Sequence, residues 1–290
     1  MKSNKNSSRG RQAKDSNPRK STGKKFSSKK NFRDKPEATK KSKQTSKTPS
    51  KTQPTEGIRL NKYIANAGIC SRREADVFIA AGSATVNGKV VTEMGYKVQE
   101  IDEVRFDNSL ISPEKKQYVL LNKPKNFITT MDDDRGRRTV MDLIGAATKE
   151  RIYPVGRLDR NTTGLLLFTN DGELAKKLTH PKHNIQKIYH ASLDKKLAMS
   201  DLYKISDGFM LDERRVIVDD ISYIENQSKT EVGVKIHSGR NRIVRRIFEH
   251  FNYTVVKLDR VIFAGLTKKN LPRGHWRHLT EMEVNSLKML

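Results

Sequence analysis

The chain has 290 residues, of which 58 are Lys or Arg and 33 are Asp or Glu, for a net charge of +25. Residues 1–56 hold 18 of the basic and 4 of the acidic side chains and contain no Val, Ile or Leu. Such a stretch cannot bury enough apolar surface to offset the entropy of ordering, and it reads as a disordered basic tail.

No apolar run approaches the roughly 18 residues that a membrane span requires. No apolar segment of the secretory kind follows the N-terminal charges, and the single Cys70 permits neither an internal disulfide nor a cysteine-based zinc site. These features together predict a cytoplasmic protein. Because each phosphate neutralised by Lys or Arg releases counterions, the charge points to a nucleic acid more than to an acidic membrane.

From Ile58 the pattern turns helical. Leu60, Ile64 and Ala67 form one stripe closed by Gly68, and Ser71-Arg72-Arg73-Glu74 is a capping box that opens a second helix with Ala75, Phe78 and Ile79 on its apolar face. Thr85-Val86 and Val90-Val91 then flank Asn87-Gly88, the dipeptide of a type I′ hairpin turn. Arg72 and Arg73 lie in a first helical turn, where the macrodipole disfavours cations, and phosphate contact explains them as well as plain solvation does. Residues 107–117, with Pro113 and two lysines, read as a linker.

Beyond it, strands are predicted at 118–122, 152–155, 165–169, 186–193, 216–224, 231–236, 254–258 and 261–265. Helices are predicted near 139–145, 173–179, 200–206, 240–250 and 280–287. Strands joined by short turns outnumber helices, which predicts an α+β domain over 118–290, built on a mixed, largely antiparallel sheet with flanking helices.

No Gly-rich phosphate loop, dinucleotide fingerprint or nucleophile elbow is present. The pairs His180/His183 and His275/His278 lack a Cys or motif acid to complete a metal set. Asp132-Asp133-Asp134 could gather a divalent ion, although the arginines at 135, 137 and 138 favour a solvated mixed-charge loop. The most unusual segment is Gly156-Arg157-Leu158-Asp159-Arg160-Asn161-Thr162-Thr163-Gly164, a carboxylate between two arginines in a glycine-bounded turn that two buried strands would deliver into a cleft. A second cluster puts Arg240, Arg242, Arg245 and Arg246 within seven residues. There Ile243, Val244, Ile247, Phe248 and Phe251 define an apolar helical face, and Arg242, Arg245 and Arg246 a basic one suited to phosphate.

The run Arg59-Leu60-Asn61-Lys62-Tyr63-Ile64, with Ser71 to Ala75 and Val86-Asn87-Gly88-Lys89, resembles the S4 RNA-binding domain over residues 57–106. That resemblance implies RNA contacts by Arg59, Lys62, Arg72, Arg73 and Lys89. Asn122-Lys123-Pro124, Thr139 to Leu143, Gly156-Arg157-Leu158-Asp159, Thr169 to Ala175, Leu178-Thr179-His180-Pro181, Lys187, Tyr189, Gly239 to Arg242, Val244-Arg245-Arg246 and Trp276-Arg277 resemble, in order, the S4-containing ribosomal pseudouridine synthases. The Thr-Asn-Asp-Gly-Glu-Leu-Ala and Leu-Thr-His-Pro runs look closest to the large-subunit group B enzymes, which act on 23S rRNA. Ile188, Asn126 and Ile243 stand where Thr, Gly and Gln are common in that family.

The resemblance implies isomerisation of a flipped-out uridine to pseudouridine by a monomer without cofactor or metal, with ribosomal RNA as partner. It makes Asp159 the essential carboxylate, acting as nucleophile or as base, and Arg245 its ionic partner. It implies that Tyr189 stacks on the base and can assist proton removal from C5, that Leu258 packs beside it, and that Arg157, Arg240, Arg242 and Arg246 contact RNA. The sequence leaves open a 16S rRNA or tRNA substrate, a non-catalytic RNA-binding or ribosome-assembly role, and a metal-dependent nuclease using Asp132 to Asp134.

Overall fold

A computed structural model describes residues 57–290, so the reading of residues 1–56 as a tail lies outside the described residues. The first part opens with β1 (Ile58–Arg59) and α1 (Leu60–Asn66), which buries Leu60 and Ile64. Helix α2 (Arg72–Ala80) starts in the expected capping box: Ser71 Oγ accepts from the Glu74 amide, and a Glu74 carboxylate oxygen accepts from the Ser71 amide at 2.7 Å. Then come β2 (Ala84–Val86), β3 (Lys89–Val90), β4 (Lys97–Val98), β5 (Val104–Phe106) and β6 (Ser109–Leu110). Asn87 and Gly88 have φ of 51° and 76°, as the predicted hairpin turn demands.

The strands form a sheet in the order β3-β2-β5-β6, and β1 pairs with β4. Both helices close on this sheet around Leu60, Ile64, Ala75, Ile79, Val86 and Val104. Residues 107–117 are not an open linker throughout, because β6 pairs with β5 and the Glu114 amide donates to Asn66 O at 2.8 Å.

The second part runs β7 (Tyr118–Lys123), α3 (Met141–Ile144), β8 (Tyr153–Pro154), β9 (Thr162–Thr169), α4 (Gly172–Thr179), β10 (Lys187–Leu193), α5 (Met199–Asp207), β11 (Phe209–Leu211), β12 (Arg214–Val216), β13 (Asp220–Tyr223) and β14 (Glu231–Ile236). It ends with α6 (Ile243–His250), β15 (Val255–Phe263), β16 (Leu266–Thr267), β17 (Trp276–His278) and α7 (Glu281–Met289). One sheet is ordered β13-β14-β10-β15-β9-β7-β17, with β16 on β15 and β8 on β9. Every pairing in it is antiparallel except β15 with β9, so the sheet is mixed and largely antiparallel as expected.

Strands β7 and β9 are buried on both faces. Leu165 and Leu167 join one cluster with Leu174 and Leu178 of α4, while Leu166 and Phe168 join another with Ile144 of α3. That double burial is why the Leu165 to Phe168 run is apolar without alternation. No helix among the described residues is long and apolar enough to cross a membrane.

Four predicted elements differ. The strands expected at 254–258 and 261–265 are one strand, β15, because the polar pair that reads as a break, Asp259 and Arg260, is partnered inside it. Asp259 accepts from Thr163 Oγ1 at 2.8 Å and from Arg273 at 3.0 Å, and Arg260 Nε donates to Leu165 O at 2.8 Å. The segment 216–224 is split: Val216 ends a hairpin that turns through Asp212 and Glu213 at positive φ, and β13 begins at Asp220. Strand β17, which extends the sheet beyond β7, was not anticipated. Helix α6 begins at Ile243 and not at 240, since Arg242 takes a left-handed φ of 48°.

Candidate active site

Residues 156–164 cross from β8 into β9, and backbone chemistry fixes their course. Gly156 has φ 76° and Gly164 φ 109°, and a Cβ at Gly164 would lie 2.2 Å from Arg260 O. That contact is where β9 runs parallel to β15, with Gly164 opposite Arg260 and Thr162 opposite Leu258, so only glycine lets the two strands approach.

The loop is then clamped from below by Lys123. This side chain is fully buried, and its ammonium donates to Asp159 O at 3.1 Å, Arg160 O at 3.4 Å, Thr162 O at 2.9 Å and Pro124 O at 3.1 Å. Burial is the largest influence on it and lowers its pKa to about 8, against a raising effect from Asp159. On the other flank Thr129 Oγ1 donates to Leu158 O at 2.8 Å, and the Asn126 amide donates to Arg160 O at 2.9 Å. Asn126, which stands where Gly is common, has φ 71°, a conformation that Asn tolerates better than most residues.

Asp159 is thereby held, with its side chain 39% exposed, at the mouth of a pocket of about 180 Å³. Tyr189 enters from β10 beside a bulge at Ile188/Tyr189, Leu258 from β15, and Ile243 and Val244 from the start of α6. Tyr189 is half-buried, and its hydroxyl has no hydrogen-bond partner among the described residues. Lys187 and Arg260 also line the pocket. The Lys187 ammonium donates to Ile185 O at 3.0 Å and His237 O at 2.7 Å, and burial together with Arg260 lowers its pKa to about 8. A carboxylate at the rim, an aromatic ring on one wall and apolar side chains on the others can seat a planar base beside a group able to attack or deprotonate a sugar.

The arginines are arranged differently from expectation. Arg245, placed on the basic outer face by the sequence reading, is 8% exposed, and its Nη1 donates to Val255 O at 2.6 Å while its Nε has no partner. The ion pair with Asp159 comes instead from Arg242, at 4.0 Å, while the same guanidinium donates to Glu249 at the nearer distance of 3.4 Å. Burial is the largest influence on Arg245 and lowers its pKa, followed by the charge of Arg242, with Asp159 opposing both. Arg245 thus makes no ion pair with Asp159 within 4.0 Å; it feels the carboxylate as a nearby charge and donates its hydrogen bond to the backbone of β15.

Of the expected RNA contacts, Arg59, Arg72, Arg73, Lys89, Arg157 and Arg240 are exposed. Lys62 is ion-paired with Glu173 of α4 and Arg246 with Asp212 of the β11–β12 hairpin, so neither is a free cation. In the acidic triplet, Asp133 accepts from Arg137 Nη2 at 2.5 Å and from the Arg137 amide at 2.8 Å, which holds its pKa at about 2. Sequence reasoning assigned no role to Lys123 or Arg260. The signal for Lys123 was present, as one cation ending the otherwise uncharged strand Tyr118–Asn122.

The family model for RNA pseudouridylate synthase matches residues 117–250, and that for the S4 domain matches residues 58–104. The chain is 42% identical over 235 residues to the ribosomal large subunit pseudouridine synthase B of Bacillus subtilis (strain 168), covering 80% of this chain and 96% of that protein. It is 33% identical over 237 residues to the dual-specificity RNA pseudouridine synthase RluF of Escherichia coli (strain K12), covering 81% and 79%. A solved pseudouridylate synthase structure superposes with a TM-score of 0.56 at 28% identity, over 79% of this chain and 99% of that one. The chain belongs to the RNA pseudouridylate synthase family and joins an S4 domain to an RNA pseudouridine synthase domain.

Proposed function

We propose that this enzyme isomerises a uridine of ribosomal RNA, in the 23S rRNA of the large subunit, with Asp159 as the essential carboxylate. The reaction breaks the bond from C1′ of the ribose to N1 of uracil, turns the base, forms a bond from C1′ to C5, and moves one proton in net terms, lost from C5 and gained by N1. Atoms balance without redox partner or cofactor. The observation that carries the reading is the clamped position of Asp159, which shares one pocket with Tyr189 and Leu258.

A uridine stacked in RNA cannot reach a carboxylate at the mouth of such a pocket, so the base is flipped out. Tyr189 and Leu258 then sandwich it, while Arg242 keeps a positive charge beside Asp159. Asp159 serves as nucleophile at C1′ or as the base that takes a ribose proton. Both roles need the carboxylate ionised. The S4 part and the exposed Arg157 and Arg240 hold flanking RNA by backbone and shape. The likeness to a large-subunit enzyme of Bacillus supports the choice of 23S rRNA.

The test is to map pseudouridines in rRNA and tRNA from cells with and without the gene, and with the Asp159→Asn form restored. One 23S position should vanish in the deletion and stay absent with Asp159→Asn, which keeps size and shape but provides neither nucleophile nor base. Product from the Asn form refutes the mechanism, and a lost position in 16S rRNA or tRNA refutes the substrate. Purified enzyme is expected to work in EDTA; activity that disappears there favours a metal at Asp132 to Asp134.

A further inference from the structure

Outside the reaction pocket, a groove of about 610 Å³ runs between α4, the 3-10 turn Pro181–His183, Lys116 and the last turn of α7. Two carboxylates line it, and both are already neutralised. Asp171 accepts from Lys116 at 3.0 Å and from the Tyr118 hydroxyl at 2.9 Å, and Glu173 is bound to Lys62. Lys176, Lys177, Lys182 and Lys288 remain in the same groove with no ion pair to a carboxylate within 4.0 Å among the described residues, although Lys176 adds to Lys62 in lowering the pKa of Glu173. Lys177 donates to Lys288 O at 2.6 Å, which joins α4 to α7 across the wall of the groove. Solubility alone is met by mixed charges; unmatched ammonium groups gathered in one concavity attract a polyanion.

The place of the groove narrows the choice of polyanion. Leu178 and Thr179, at the end of α4, line the reaction pocket, while Leu174, Lys176 and Lys177 of the same helix line the groove. At the start of α4, Glu173 is fixed to Lys62 on α1 of the S4 part. Helix α4 spans roughly 12 Å at about 1.5 Å per residue. The groove therefore fills the interval between the S4 part and the pocket that receives the base. Besides its lysines, whose ammonium is a point charge, the groove holds His180 and His183, whose rings meet edge to face at 6.2 Å, and no Phe, Tyr, Trp or Arg, so its charge suits phosphates.

We propose that this groove binds the phosphodiester backbone of the substrate RNA flanking the flipped uridine, contributing affinity and register but no sequence reading. The proposal rests on the enzyme's acting on RNA at the Asp159 pocket. It does not depend on which uridine is modified.

The experiment uses the full chain carrying Lys176→Glu, Lys182→Glu and Lys288→Glu together, with a triple Lys→Arg form as the conservative counterpart and thermal melting to verify folding. Binding to protein-free 23S rRNA is measured without turnover across a salt series. Three lost phosphate contacts flatten the slope of log K against log salt by roughly 2 to 3. Affinity at 0.15 M salt should fall at least about tenfold, the Arg form should restore it, and the loss in turnover should appear in KM rather than kcat. Unchanged affinity and slope in the Glu form overturn the proposal, as does a fall in kcat at constant KM. Failure of the Asp159 mechanism would leave the binding difference intact, so the two outcomes separate.

Discussion

Lys123→Met tests whether the site depends on a buried cation that never touches substrate. Methionine keeps the length and apolar stem of lysine but donates nothing to the carbonyls of Pro124, Asp159, Arg160 and Thr162. An ammonium has three hydrogens, and hydrogen bonds to a charged donor contribute about 1.5 to 3 kcal/mol each, so roughly 5 to 9 kcal/mol of favourable contact is lost. Against this stands the cost of burying the charge. A pKa lowered from 10.5 to about 8 corresponds to about 3 kcal/mol, which methionine does not incur. The net expectation is a destabilisation of about 2 to 6 kcal/mol.

A shift of about 1 Å in the loop that carries Asp159 would cost on the order of 100-fold in rate. Melting temperature, RNA affinity and single-turnover rate should be measured together; the first and last should fall while affinity stays within a few-fold. The pH dependence adds a signature. A lysine whose folded pKa lies below its unfolded value binds fewer protons when folded, so its contribution to stability rises with pH between about 8 and 10.5, and below pH 8 the full burial cost is present. The wild type should gain stability over that window relative to the Met form. Wild-type melting and rate in Lys123→Met would refute the clamp.

Gly164→Ala places a Cβ 2.2 Å from Arg260 O at a φ of 109°, and should destabilise by more than about 2 kcal/mol in denaturant titration, with soluble wild-type-like protein as the contrary result. Arg242→Met should lower the single-turnover rate more than it weakens RNA binding. Arg245→Met should show mainly as lost thermal stability, because Val255 O loses its donor; the reverse assignment of effects would restore Arg245 as the partner of Asp159. Arg72→Ala with Arg73→Ala should raise KM more than it lowers kcat on an rRNA fragment, and a fall in kcat at constant KM would place both residues in the active site. A chain starting at Gly57 should lose affinity and salt dependence but modify the same uridine, and a new modified position would contradict this.

Local signals in the sequence carried the S4 part well. A capping box and an Asn-Gly turn act through the backbone of a few adjacent residues, so Ser71 with Glu74 and Asn87 with Gly88 are legible without tertiary context. Long-range compensation was not legible. Asp259 and Arg260 look like a break in β15 until Thr163, Arg273 and Leu165 O, all distant in sequence, supply their partners. Lys123 reads as the end of a strand because nothing local says that four carbonyls converge on it. The loop carrying Asp159 was recognisable by its glycines, yet the reason for Gly164, the approach of β15, is visible only in the fold.

The outward placement of Arg245 differs from the structure for a geometric reason. At about 100° per residue, Arg245 lies about 60° beyond Phe248, the edge of the apolar arc of α6, which a periodicity argument counts as the outer face. The β15 backbone covers that edge and Val255 O accepts its hydrogen bond, so a cation is tolerated inside. Arg242 lies before the first helical turn, in a left-handed conformation, and its long side chain reaches back over the mouth of the pocket. Its pairing with Asp159 is half-exposed, and with water in the cleft a 4.0 Å contact contributes about 1 kcal/mol or less. In the proposed complex, a base seated against Tyr189 and Leu258 would displace that water. At an effective dielectric near 20 the same separation corresponds to about 4 kcal/mol. A pair that strengthens as the substrate enters contributes to binding, and in the dried site it also keeps Asp159 ionised, so Arg242→Met should lose some affinity and, because an unpaired carboxylate there tends to protonate, more of the single-turnover rate.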